Sequence, residues 1–146
     1  MNAPQIRALI EGYINSNSTA KQQIGRSFAV YLGLQPGEAG KDSGIDGVGF
    51  IDGLKIYFQS KLSKNNLGVE KADEFYANLK FHRANIGVML AGVGYTSGFR
   101  ERLFKQPEIE NLTIHLLTLE DIFSKTPTFE AAIKDLQPRE DVSEEK

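Results

Sequence analysis

A chain of 146 residues with 40% hydrophobic and 25% charged side chains is long enough to bury one substantial core and short for two domains. It contains no cysteine, which excludes disulfide frameworks, thiolate metal sites and thiol nucleophiles. The formal net charge is −2, and the segment from Gln137 onward, with Glu140, Asp141, Glu144 and Glu145 against Arg139 and Lys146, carries the whole acidic excess.

Residues 1–136 are expected to form a single domain, with 1–18 a helical extension, 19–123 the core and 137–146 a disordered acidic tail. Neither a basic leader nor about 18 consecutive apolar residues occurs, so a soluble, cytoplasmic protein without a membrane segment is expected.

Pro4, followed by Ile6, Leu9, Ile10, Tyr13 and Ile14, has helical spacing with proline in the first turn. A second helix begins at Ser18 or Thr19, carries Ile24, Phe28, Tyr31 and Leu32 on one side, and ends at Gly33. Gln35 to Gly44 is loop by composition. Asp52-Gly53 then sits between two β-rich runs and is a strong two-residue hairpin signal, because both positions tolerate positive φ. Ser63 to Asn66 is a loop, and Val69 to His82 a helix with Ala72, Phe75, Tyr76 and Leu79 on its apolar side. Ile86 to Gly92 is a continuous apolar run, expected as a strand covered on both faces. A helix over Ser97 to Lys105, a strand over Asn111 to Leu117, and helices over Leu119 to Phe123 and Phe129 to Leu136 complete the chain. This order predicts an α/β fold, a mixed central sheet flanked by helices, because parallel neighbours need long crossovers.

The hairpin carries the candidate chemistry. With Asp52 and Gly53 in the turn, Ile51 faces Leu54, and the same register sets Asp46 opposite Gln59, with Lys61 on their face. The other face is expected to hold Ile45, Ile51, Leu54, Ile56 and Phe58. The plain alternative is a two-stranded ribbon with an exposed polar face.

Asp46, Gln59 and Lys61 make sense together for phosphodiester hydrolysis. Mg²⁺ takes hard oxygens from one or two protein carboxylates and keeps waters and substrate phosphate as further ligands. Asp46 offers the anionic oxygen, Gln59 an amide oxygen and Ser60 a backbone carbonyl; Mn²⁺ is expected to substitute. Lys61 suits the attacking water and the growing phosphate charge. Lysines and arginine nearby, including Lys64, Lys80 and Arg83, suggest a phosphate-binding strip. His82 and His115 are too far apart in sequence for a histidine zinc motif, and the glycines from Gly37 to Gly49 form neither GxxxxGK[ST] nor a strand-to-helix GxGxxG. Gly47 and Gly49 instead suit a close backbone approach.

Gln59-Ser60-Lys61 resembles the QxK variant that the Mrr-like restriction endonuclease branch of the PD-(D/E)xK nuclease superfamily has in place of ExK. The glycine-rich GKDSGIDG ending at Asp46-Gly47, the segment IGVMLAGVGYTSGFRERL and the segment TIHLLTLEDI are similar to other parts of that core. The likeness spans roughly Thr19 to Phe123. It implies a restriction-endonuclease-like fold, a divalent metal, DNA as substrate, Asp46 and Gln59 as ligands and Lys61 as the catalytic lysine. Lys41 joins Lys64, Lys80 and Arg83 as a candidate DNA contact. Many relatives carry an acidic residue on the first core helix; here Lys21 to Arg26 offers none, leaving Gln22, Gln23 or Asp42 as accessory candidates. Cutting both strands implies a homodimer, and specificity implies loops, dimerisation or a separate specificity protein. Two other readings stand beside this one: a nuclease toxin domain, acting on DNA or RNA and paired with an immunity protein, and a non-catalytic module that binds nucleic acid or protein with the same fold.

Overall fold

The computed structural model describes residues 1–37 and 45–137. The acidic tail expected at 137–146 therefore lies outside the described residues except for Gln137, as do the candidates Lys41 and Asp42.

Helix α1 (Ala3–Ile14) is capped by Asn2, whose side chain accepts from the Gln5 backbone while Gln5 reaches back. Helix α2 (Ser18–Tyr31) is capped by Asn17 and not by Ser18 or Thr19; the asparagine wins because its side chain already reaches the Ala20 amide. Strands β1 (Gln35–Pro36), β2 (Gly47–Ile51) and β3 (Leu54–Lys61) follow. Then come α3 (Val69–Phe81), β4 (Ile86–Ala91), α4 (Ser97–Leu103), a 3-10 turn at Ile109–Asn111, β5 (Thr113–Thr118), α5 (Leu119–Ser124) and α6 (Pro127–Asp135).

The sheet order is β1-β2-β3-β4-β5. The first three strands are antiparallel neighbours, and β3, β4 and β5 run parallel, which is the expected mixed sheet. Gln35-Pro36, expected as loop, is a short edge strand: its only strand-like property is its pairing with Val48 and Gly47, which no local pattern announces. The Asp52-Gly53 turn has φ of 52° and 82°, both positive as the hairpin geometry demands, and the register runs from Ile51↔Leu54 to Gly47↔Phe58.

Both faces of the sheet are covered. Ile56, Phe58, Val88, Leu90 and Leu117 pack with Ala29, Leu32, Ile122, Phe129 and Ala132 on one side. Tyr57, Met89 and Leu116 pack with Phe75 and Leu79 of α3 and Phe99 and Leu103 of α4 on the other. Fully burying side chains of this size contributes about 1.5–3 kcal/mol each. Ile45 packs with the second group, against the α3 side, and not with Ile51 on the first. On β3 the α3-facing Tyr57 and Gln59 are buried, unlike the exposed polar face of a plain ribbon, and the expected placing of Ile45 is corrected: it precedes the strand, so the alternation that sorts strand residues does not govern it.

Close approach of α2 and of Leu34, just beyond it, to the hairpin depends on missing side chains. A Cβ on Gly47 would stand 2.7 Å from the Ala29 Cβ, and one on Gly49 would stand 2.7 Å from Leu34 Cδ2. Gly25, in the middle of α2, lies against Ser60 and Asp46.

Candidate active site

The site forms at the carboxyl end of β3, where β2 has not yet begun. In the hairpin ladder Gly47 is the last residue of β2 to pair, opposite Phe58. Asp46 is outside the strand; its N–H still donates to the Phe58 carbonyl at 2.9 Å, and its own carbonyl accepts from Gly37 N–H at 2.9 Å. Ser60 thus presents its N–H to an edge with no strand opposite. A buried amide without a partner is costly, and here the Asp46 carboxylate supplies the acceptor. Ser60 N–H donates to Asp46 Oδ2 at 2.7 Å and Ser60 Oγ at 3.3 Å.

Three influences act on that carboxyl group. Burial raises its pKa above the ordinary aspartate value, and this effect exceeds the opposing ones from the Ser60 hydrogen bonds and the Lys61 ammonium. The carboxyl therefore keeps its proton to a higher pH than an exposed aspartate does.

Gln59 is 5% exposed and, with Tyr57, belongs to the α3 side of the sheet, whereas the Asp46 carboxylate turns to Ser60 beside Gly25 of α2. The expected direct pairing of Asp46 with Gln59 is not formed, because the pairing of β2 ends at Gly47. Gln59 Oε1 accepts from the Tyr57 hydroxyl at 3.1 Å. Lys61, two residues on, is half-buried and lines a cleft of about 700 Å³ with Lys21, Lys64 and Lys71, together with Asn65, Asn66 and Glu70. Lys71 is already paired with Glu74 at 2.9 Å. Lys21 comes from α2 and the others from β3, its following loop and the first turn of α3, so the cleft is basic across two faces.

Sequence proximity does not gather all the expected cations. Lys64 lines the cleft, but Lys80 is in the last turn of α3, paired with Glu108 at 3.1 Å, and Arg83 follows the end of that helix with φ of 54°. The 13 residues of α3 put about 18 Å between its two ends, so Lys80 and Arg83 stand away from the cleft. On α2, Gln22 lies one turn before Gly25 and shares its side, whereas Gln23 lines a separate apolar groove with Tyr13, Phe28 and Tyr31; both glutamines are exposed. His115 pairs with Asp135 at 2.7 Å, and His82 stacks on Tyr57.

Sequence reasoning missed Lys21, Gly25 and Tyr57. Glycine inside a helix costs about 1 kcal/mol relative to alanine, so Gly25 was a readable sign of close packing. Tyr57 is two residues before Gln59 and so on the same face of β3, a signal present in the alternation. Lys21 had none, since its closeness to Lys61 depends on how α2 crosses the sheet.

The family model for the Mrr catalytic domain, described as restriction endonuclease, matches residues 31–124. The chain belongs to the Mrr-type restriction endonuclease family. A solved structure titled DNA modification-dependent restriction endonuclease AspBHI is similar with a TM-score of 0.55 at 16% identity, over 93% of this chain and 40% of that one. At that identity the likeness shows the fold, and this chain spans well under half the length of that protein. No curated protein matches the chain. Among the described residues no helix is long and apolar enough to cross a membrane.

Domains of this restriction type generally use divalent metals, and the donor set here fits one kind better than another. Among the described residues no three His, Cys, Asp or Glu side chains gather as a metal cage. The oxygens of a carboxylate, a side-chain amide and a backbone carbonyl are the kind of donor that a hard cation takes while it keeps waters and substrate phosphate.

Proposed function

We propose that this Mrr-type nuclease is an Mg²⁺-dependent endonuclease that hydrolyses phosphodiester bonds in DNA, with Mn²⁺ able to replace Mg²⁺. The reading is supported by a partly buried Asp46 carboxylate hydrogen-bonded to Ser60 at the end of β3, beside a cleft that Lys61 lines with Lys21 and Lys64. Asp46, Gln59 Oε1 and the Ser60 carbonyl would hold the cation, which supplies charge neutralisation to the phosphate when bound. Lys61 would orient the attacking water and offset the charge that grows on the phosphate oxygens as the P–O bond to the leaving group breaks. Lys21 and Lys64 would hold flanking phosphates. Cutting both strands of a duplex needs two such sites, so a homodimer is part of this proposal.

The test is nicking of supercoiled plasmid in Mg²⁺ or Mn²⁺, comparing the natural chain with Lys61→Ala. A fall of roughly 10²–10³-fold is expected on removing a group that stabilises transition-state charge; equal rates would end the assignment of Lys61.

DNA affinity separates the two groups of basic residues. In Ca²⁺ or without metal, Lys64→Ala and Lys21→Ala are expected to weaken duplex binding and to lower the slope of log K against log salt by about one unit each. Lys80→Ala and Arg83→Ala are expected to leave both unchanged, and the reverse pattern, measured by fluorescence anisotropy across a salt series, would move the DNA path to the other end of α3.

A further inference from the structure

Gln59 is a weak choice for a ligand unless something controls its amide. The two ends of a glutamine side chain have nearly the same size and opposite hydrogen-bonding character, and only the oxygen can bind a cation. A carboxylate in its place would have no wrong end. The surroundings of Gln59 address this difference.

Tyr57 is fully buried, with its ring stacked on His82 at a centroid distance of 5.2 Å and tilted against Phe75 at 6.1 Å. Its hydroxyl has one proton. The side-chain amide of Asn78, on α3, is a hydrogen-bond partner of the same hydroxyl. The hydroxyl donates that proton to Gln59 Oε1, 3.1 Å away, which leaves the phenol oxygen to accept from the Asn78 amide. Donor follows donor along Asn78, Tyr57 and Gln59, and the chain ends on an amide oxygen. That oxygen has two lone pairs; Tyr57 occupies one and leaves the other.

We propose that Tyr57, itself oriented by Asn78, is a positioning residue that holds the Gln59 amide oxygen-first toward the cation site and so lets a neutral glutamine serve where a carboxylate would need no such help. The inference rests on the reading of Gln59 as a ligand. Partners behind a ligating group fix its orientation in this way, and removing one typically costs about 10–100-fold in metal affinity.

The experiment is a Mn²⁺ titration of the full chain, followed by the electron paramagnetic resonance signal of free Mn²⁺, for the natural protein, Tyr57→Phe, Gln59→Ala and the double variant. Tyr57→Phe keeps the ring and its stacking and deletes only the hydroxyl. The expected result is affinity weakened about tenfold or more by Tyr57→Phe, weakened by Gln59→Ala, and no weaker in the double variant than in Gln59→Ala alone. If Gln59→Ala binds Mn²⁺ as the natural chain does, the ligand reading fails and this inference with it. If Gln59→Ala weakens binding while Tyr57→Phe does not, only the role of Tyr57 is overturned. Losses that add in the double variant would also overturn it, because an effect passing through the core and not through Gln59 would behave that way. Asn78→Ala, at the half-exposed start of the relay, gives the same test with a smaller loss should Tyr57→Phe fail to fold.

Discussion

Asp46→Asn is expected to reduce plasmid cleavage by on the order of 10³-fold or more, since a bound cation is worth several kcal/mol of transition-state stabilisation, while leaving the fold as stable as before or slightly more so. The two effects have one cause. The Asp46 carboxyl is partly buried, and that burial, outweighing the Ser60 hydrogen bonds and Lys61, raises its pKa. A carboxyl whose pKa is higher folded than unfolded favours the folded state most when it is protonated. That contribution is fully present below the ordinary aspartate value and is lost as pH rises through the raised folded value.

Asparagine keeps the shape and an oxygen able to accept from Ser60 N–H and Oγ, but it carries no charge to bury. In the presence of a chelator, the melting temperature of Asp46→Asn relative to the natural chain should therefore rise from acid to neutral pH. Thermal denaturation across that range checks the sign, and plasmid nicking checks the activity. A variant that melts well below the natural chain at neutral pH would contradict the burial argument, and one that cleaves normally would remove Asp46 from the chemistry.

Gly25→Ala is expected to damage the site from a helix that contributes no catalytic group. An added Cβ would stand 2.3 Å from Ser60 Oγ and 3.5 Å from the Asp46 carboxyl carbon, so the hydroxyl must leave its place beside Asp46 or α2 must move. Overpacking of this kind costs about 1–3 kcal/mol, against roughly 1 kcal/mol gained by putting alanine in place of glycine within a helix. The packing cost is the larger, and a melting temperature lowered by a few degrees is expected at about 3 °C per kcal/mol for a domain of this size.

Removing the obstructing atom should reverse much of this. In Gly25→Ala with Ser60→Ala the nearest remaining neighbours, at 3.5 Å, are at ordinary contact distance, so the double variant should melt above Gly25→Ala alone. Gly25→Leu fills the space beside the carboxylate itself and is expected to abolish cleavage in either background. Additive destabilisation by the alanine changes, measured by thermal melts, would mean that Gly25 and Ser60 do not meet as described.

How well each part of the protein could be read from its residues follows from how local its cause is. The Asp52-Gly53 turn sets its own φ signs, and the alternation on either side fixes the register from Ile51↔Leu54 inward; both causes lie within a dozen residues. Helices α3 and α4 likewise declare themselves by apolar spacing, and Thr96 caps α4 by accepting from the Phe99 amide. Asp46 shows where this ends. The register extended by one residue puts it directly opposite Gln59, but the strand stops at Gly47, and the carboxylate turns to the unpaired Ser60 amide that this early ending creates. Lys80 and Arg83 look near Lys64 along the chain because sequence distance ignores the length of a rigid helix.

The amino-acid order by itself determined the helices, the strands other than β1, the hairpin register and the kinds of group that stand near the end of β3, because turn chemistry and side-chain periodicity act over short range. Tertiary structure alone decided that α2 approaches closely enough for Gly25 to touch Asp46 and Ser60, that Lys21 shares a cleft with Lys61, and that α3 covers the face of β3 that holds Tyr57 and Gln59. Those are contacts between elements far apart in the chain, fixed by how helices pack on the sheet and by which polar groups are left needing a partner once they do.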